Sequence, residues 1–133
     1  MWDKALSPSL LAEEEHTLDT LAGDWKIFQL RRGHRFSADD LLTAWSAARA
    51  GPDARSVLDL GAGIGSVGLL ALWRLSSQAR LTMVEVQRLS HELARRTVAR
   101  NGLESRVSLH CADLRDWPGG SYEMVTGSPP YIT

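Results

Sequence analysis

Two stretches of this sequence combine residue types that can do chemistry. The first is Val57-Leu-Asp-Leu-Gly61-Ala-Gly63-Ile-Gly65, and the second is Ser128-Pro129-Pro130-Tyr131. In the first, glycines let the backbone turn sharply and let a ligand approach closely. A dinucleotide fingerprint wants its third glycine three residues after the second. Ser66 stands at that place here, and Gly65 follows Gly63 by two. Asp59 stands two residues before Gly61. A carboxylate aimed into the turn would repel a pyrophosphate and would suit a cation carrying an amino group and a sulfonium. Taken alone, such a glycine triplet fits a ligand-free connection equally well.

In the second stretch, two prolines stiffen the backbone and remove two donors. What remains is a rigid run of carbonyl acceptors, one hydroxyl and one aromatic face. An exocyclic base amine has hydrogens to donate and a ring to stack, but its lone pair is delocalised. Acceptors at Ser128 Oγ and the Pro129 carbonyl would favour the tetrahedral nitrogen that forms during attack on a methyl group. Tyr131 would hold the base by stacking, worth ~1–3 kcal/mol. A proline-rich turn after a strand is the plain alternative.

Further acids fit the same logic. Glu85 ends a strand 20 residues after Gly65. An acid there accepts hydrogen bonds from both ribose hydroxyls of a nucleoside cofactor. Asp113 comes after the next strand and is a candidate acceptor for an adenine amine, with Asp116 competing for that role. Leu114 and Val86 either flank the adenine or pack in the core. Together these residues point to S-adenosylmethionine rather than NAD.

The elements that position these residues read as an α/β pattern. Residues 9–21 read as a helix, with Ser9 as cap, Leu10, Leu11, Leu18 and Leu21 on one side, and Gly23 as breaker. Trp25–Leu30 reads as a strand, Arg31–Gly33 as a turn and His34–Phe36 as a brief return strand. Ser37 and Asp40 make a capping-box start for a helix to about Ala50, ended by Gly51-Pro52. Strands are expected at Ser56–Leu60, Leu81–Val86, Val107–Cys111 and Tyr122–Thr126, with helices over 65–76 and 89–100 and Gly102 at a helix C-terminus. This alternation predicts βαβ units and a mostly parallel, Rossmann-like sheet. Residues 1–50 form a leading helix, hairpin and helix, and 51–133 a cofactor-binding core.

Composition narrows the class. The 133 residues suit one domain, and their hydrophobic fraction of 44% supports a real core. A net charge of −1 gives no global attraction to nucleic acid or an anionic membrane. The positive charge is nearly all arginine, which suits phosphate contacts but equally reflects a coding bias. The lone Cys111 fits a reducing compartment, and neither a secretory signal nor a bilayer-spanning run is visible. The expectation is a cytoplasmic protein with no membrane partner and no metal.

These pieces resemble class I amino-methyltransferases over residues 56–131. Asp59–Gly65 is similar to their first motif, Glu85 to their second-strand acid, Asp113 to their third-strand acid, and Ser128–Tyr131 to their Asn/Asp/Ser-Pro-Pro-aromatic motif. Upstream, Gln29-Leu-Arg-Arg-Gly33-His-Arg35-Phe36-Ser37-Ala-Asp39 resembles the segment preceding the cofactor domain in bacterial tRNA adenine-N6 methyltransferases that modify valine tRNA. Val84–Gln87 and Ala94 through Leu103 resemble that group too. The resemblance implies methyl transfer from S-adenosylmethionine to the adenine exocyclic amine in tRNA. It departs in having Ser128 where the group has Asn. The group's fold also continues past the motif with a fifth strand and a final antiparallel pair. The chain therefore reads as a piece of a longer protein. Alone it is expected to bind cofactor weakly, to methylate negligibly and to self-associate.

If RNA is the substrate, a local basic patch must offset the neutral total. Lys26, Arg31, Arg32, His34 and Arg35 lie between Trp25 and Phe36. They make either an RNA contact or a solvated hairpin. Arg88, Arg95, Arg96 and Arg100 share a helix with Glu92, whose i,i+4 pairing with Arg96 favours a solvated face. The nearest rival is a methyltransferase acting on a glutamine amide of a release factor, a group with a different upstream domain. A non-catalytic cofactor- or RNA-binding module is the rival from another class.

Overall fold

A computed structural model describes residues 15–33 and 35–127. The element order is β1 (His16–Ala22), β2 (Trp25–Leu30), α1 (Ala38–Ala50), β3 (Ser56–Leu60), α2 (Ser66–Arg74), β4 (Arg80–Glu85), α3 (Arg88–Arg100), β5 (Val107–Cys111) and β6 (Met124–Gly127). A 3₁₀ turn covers Leu114–Asp116.

The central sheet has the order β5-β4-β3-β6, and every pairing in it is parallel. The chain enters at β3, moves outward through β4 to β5, then returns to the other side of β3 as β6. Strand order therefore reverses at β3, and the crevice beyond the strand ends at such a switch point is where α/β sheets bind ligands. The predicted α/β class and parallel sheet are what the structure shows.

Local sequence explains the elements. In β4, Leu81, Met83 and Val84 are essentially inaccessible, as a strand covered on both faces requires. Helix α2 is apolar nearly all round, and residues Ser66 through Leu72 are all buried between the sheet and α1. Helix α3 is amphipathic, burying Leu93, Ala94, Thr97 and Val98. Its outer face carries Glu92, which pairs with Arg96 at 3.2 Å and also with Arg95. At the start of α1, the Asp40 carboxylate accepts from the Ser37 N–H at 3.3 Å, the reciprocal half of a capping box.

The N-terminal expectations need correction. Within the predicted 9–21 helix, the stretch His16–Ala22 is a β-strand; residues 9–14 of that expectation lie outside the described residues. The strand pairs antiparallel with β2, from His16 opposite Leu30 to Ala22 opposite Trp25. The Leu18/Leu21 spacing suggested a helical face, yet Leu18 is 41% exposed while Leu21 is buried. The stronger signal was Gly23-Asp24 between two strand-like runs, a two-residue hairpin turn with Gly23 at φ 53°. The predicted return strand is also absent. Arg35 and Phe36 are irregular, and His34 lies outside the described residues.

This hairpin does not stand free. The Asn101 side chain accepts from Lys26 N at 2.8 Å and donates to Lys26 O at 2.7 Å. Thr97 Oγ1 accepts from Phe28 N at 2.9 Å. Side chains of α3 thus satisfy the outer edge of β2 as a neighbouring strand would. Those groups would otherwise be unpaired donors and acceptors.

Candidate functional site

The four parallel strands end at one edge, and the site is built from the turns and side chains at those ends. After β3, Gly61, Gly63 and Gly65 all have positive φ (67°, 60° and 94°), a conformation that only glycine adopts without strain. Gly61 N and Ala62 N donate to the Val84 carbonyl at 2.9 and 3.0 Å, which folds the turn across the end of β4. A Cβ at Gly65 would lie 3.3 Å from Leu69 and Met83, so this glycine also permits close packing. A Cβ at Gly63 would meet nothing within 4 Å. The loop surface there is open to a ligand.

Glu85 ends β4 and is largely buried against this turn. Its Oε1 accepts from Gly63 N at 2.7 Å and its Oε2 from Gln87 N at 2.9 Å. The carboxylate is therefore held by two main-chain donors, with further lone pairs available to a ligand. After β5, Asp113 accepts from Arg115 N at 2.8 Å and pairs with the Arg115 guanidinium at 2.7 Å. Hydrogen bonds from that guanidinium and N–H hold the Asp113 carboxyl down at about 2. Val86 and Leu114 are 52% and 41% exposed. They are apolar surfaces at the same edge rather than core residues.

Asp59 takes a direction that its sequence position does not reveal. It is 1% exposed and faces away from solvent. Its Oδ2 accepts from Gly68 N at 3.1 Å, and its Oδ1 from Thr126 Oγ1 at 2.8 Å. Gly65, the N-cap of α2, has no side chain to offer. Asp59 supplies the missing acceptor from below. A Cβ on Gly68 would come within 2.8 Å of Asp59 Oδ2 and 3.2 Å of Asp59 Cβ, so this glycine in the first turn of α2 makes room for the carboxylate.

Burial pushes the Asp59 carboxyl up to about 6 from its ordinary 3.8, against the lowering effect of its two hydrogen bonds. The folded chain therefore holds this proton more tightly than the unfolded chain. The resulting stability is present at low pH and is lost as pH rises from about 4 to about 6, amounting to about 3 kcal/mol. Asp59→Asn removes the titration. Urea unfolding at pH 4, 5, 6 and 7 should show the variant gaining on the native chain by about that amount across the range. A gap that stays constant with pH would contradict the buried-acid assignment.

One further acid, Asp40, was not legible as a site residue in the sequence. Asp40 Oδ2, besides capping its own helix, accepts from Ser66 Oγ at 2.8 Å. Its capping-box role was legible, but its reach to the start of α2 is tertiary. Asp40, Asp59 and Glu85 thus surround the turn and the N-terminus of α2. In dinucleotide folds that helix end receives a pyrophosphate. Here carboxylates already satisfy or flank it, which disfavours a phosphate and suits a cationic amine and sulfonium. The donor set fits S-adenosylmethionine.

Ser128, Pro129, Pro130 and Tyr131 lie outside the described residues. The strand preceding them, β6, ends at this same edge. The basic hairpin residues sit elsewhere. Arg35 donates to the Leu30 carbonyl at 2.7 Å and pairs with Asp19 at 3.1 Å. Hydrogen bonds from Gln29, then Thr17 and Arg35, hold the Asp19 carboxyl below its usual range. Lys26 Nζ donates to Thr20 Oγ1 at 3.0 Å. Arg31 and Arg32 are exposed at the end of β2. No helix among the described residues is long and apolar enough to cross a membrane.

Comparison with known proteins gives a consistent result. Residues 37–133 match the family model for the methyltransferase small domain. The chain is 32% identical over 94 residues to the tRNA1(Val) (adenine(37)-N6)-methyltransferase of Cronobacter sakazakii, covering 68% of this chain and 37% of that protein. It is 30% identical over 119 residues to the release factor glutamine methyltransferase of Agrobacterium fabrum, covering 90% of this chain and 40% of that protein. Among solved structures, a SAM-dependent methyltransferase from Agrobacterium tumefaciens shares the fold, with a TM-score of 0.71 at 19% identity over 90% of this chain and 41% of that one. The chain thus spans about two fifths of the length of the curated relatives it matches.

Proposed function

The chain belongs to the methyltransferase small domain family, and we propose that it is the cofactor-binding part of an enzyme that methylates the exocyclic amine of adenine in tRNA. The cofactor is S-adenosylmethionine, which supplies an electrophilic methyl group on a sulfonium. The observation that carries the cofactor reading is Glu85, held at 2.7 Å from the open Gly63 turn with acids around the start of α2. In this reading, Glu85 takes the ribose, Gly61–Gly65 the methionine end, Val86 and Leu114 the adenine faces, and Asp113 the cofactor's adenine amine. Ser128 and the Pro129 carbonyl accept from the target amine, and Pro130 keeps that loop stiff. Tyr131 stacks on the target base.

Support for adenine in tRNA comes from the 32% identical adenine-N6 relative and from the basic stretch before α1. Exposed Arg31 and Arg32, with Lys26, are the candidate RNA contacts. Arg35 would assist mainly by holding the hairpin, since its guanidinium is engaged with Leu30 and Asp19. A glutamine amide is the second reading, favoured by the release-factor relative that covers 90% of this chain. Radiolabelled methyl transfer by the full-length protein separates the two. Label in bulk tRNA, recovered as N6-methyladenosine, is the expected result. Label in a release factor and not in tRNA would overturn it.

A further inference from the structure

β6 is a short strand of four residues with one neighbour among the described strands, β3. Such a strand is positioned by its ladder on one side only and needs other restraints to fix its ends. Side chains supply two. At the amino end, Glu123 Oε1 accepts from Arg55 N at 2.7 Å, and Glu123 N donates to Ser56 Oγ at 2.9 Å. At the carboxyl end, Thr126 Oγ1 donates to Asp59 Oδ1 at 2.8 Å, between residues directly opposite in the β3–β6 register.

The second restraint is chemically costly. Asp59 is 1% and Thr126 7% exposed, so an acid and a hydroxyl occupy core positions that two apolar side chains would fill at lower cost. Asp59 also reaches Gly68 N, the third residue of α2. One carboxylate therefore touches both the helix after the glycine turn and the strand that leads, two residues later, into Ser128.

We infer that Asp59 and Thr126 are positioning residues, which lock the carboxyl end of β6, the strand that leads into the Ser128–Tyr131 loop, in register with the cofactor turn. The inference rests on the reading that this loop holds the methyl acceptor. Methyl transfer requires the amine in line at near-attack distance, and small misplacements are expensive. Neither residue touches the cofactor in this scheme. Loss of the link should therefore lower kcat without weakening cofactor binding.

The test uses the full-length protein. Thr126→Val removes the donor at nearly constant shape, and Thr126→Ser retains it. The expected result for Thr126→Val is a fall in kcat of roughly ten-fold or more, with cofactor affinity by calorimetry within about two-fold of native, faster amide exchange across Met124–Gly127, and recovery in Thr126→Ser. An unchanged kcat, a loss that Thr126→Ser does not recover, or a parallel loss of cofactor affinity would each overturn the inference. Should Thr126→Val fail to fold, Thr126→Ala, which also lacks the donor, is read in its place with the same kcat, affinity and exchange outcomes. Should the native protein methylate neither tRNA nor release factor, the functional reading fails. Amide exchange then judges the link alone, and unchanged exchange in Thr126→Val would overturn it.

Discussion

Glu85→Ala is expected to weaken S-adenosylmethionine binding by roughly ten-fold or more. Charge-assisted hydrogen bonds contribute ~1.5–3 kcal/mol each, and a carboxylate at this strand end offers one to each ribose hydroxyl. The substitution also releases Gly63 N, which Glu85 holds at 2.7 Å, and so loosens the turn beneath the ligand. Glu85→Gln should fall between the two, since its amide keeps one acceptor oxygen. Calorimetry at fixed pH measures all three proteins. Unchanged affinity in Glu85→Ala would remove this residue from the site. Tight NAD binding by the native chain would overturn the cofactor assignment itself.

The second large effect concerns the acceptor. Tyr131→Ala in the full-length enzyme should remove most of the methyl-transfer rate. Stacking of a base on an aromatic ring is worth ~1–3 kcal/mol, and the orientation it imposes is needed for in-line attack. The loss should appear in single-turnover rate at saturating cofactor, with cofactor affinity unchanged. Tyr131→Phe should retain most of the rate, because the ring and not the hydroxyl does the holding. Full activity in Tyr131→Ala would refute the stacking role.

The parallel sheet was legible because its signals are local and agree with one another. β4 is a nearly unbroken apolar run, α3 has one apolar face, and Gly61–Gly65 bridges a strand to a helix. Glu85 was placed correctly at the end of β4 for the same reason. The N-terminal segment was misread because two periodicities coexist there. Leu18 and Leu21 fit a helix, while Thr17, Thr20 and the Gly23-Asp24 turn fit a hairpin. Pairing with β2 across that turn and docking on α3 decide between them, and α3 lies some 75 positions further along the chain. The facing of Asp59 was illegible for a similar reason. A strand-end acid can turn up into the loop or down into the core, and the choice depends on Thr126 and Gly68. Gly68 was the available clue, since a glycine inside a helix usually marks a close approach.

The way α3 closes the edge of β2 carries a consequence for biosynthesis. The hairpin can form within microseconds of its own synthesis, because its contacts are local. On its outer edge, Lys26 and the Phe28 N–H are satisfied by Asn101 and Thr97, and the Lys26–Asn101 bond spans 75 positions. At ~5–20 residues per second, translation takes roughly 4–15 s to supply that partner. For that interval each nascent chain exposes an open strand edge to its neighbours on the same message. The charge beside that edge, Lys26 within β2 and Arg31 and Arg32 at its end, is well placed to keep nascent chains apart until α3 emerges.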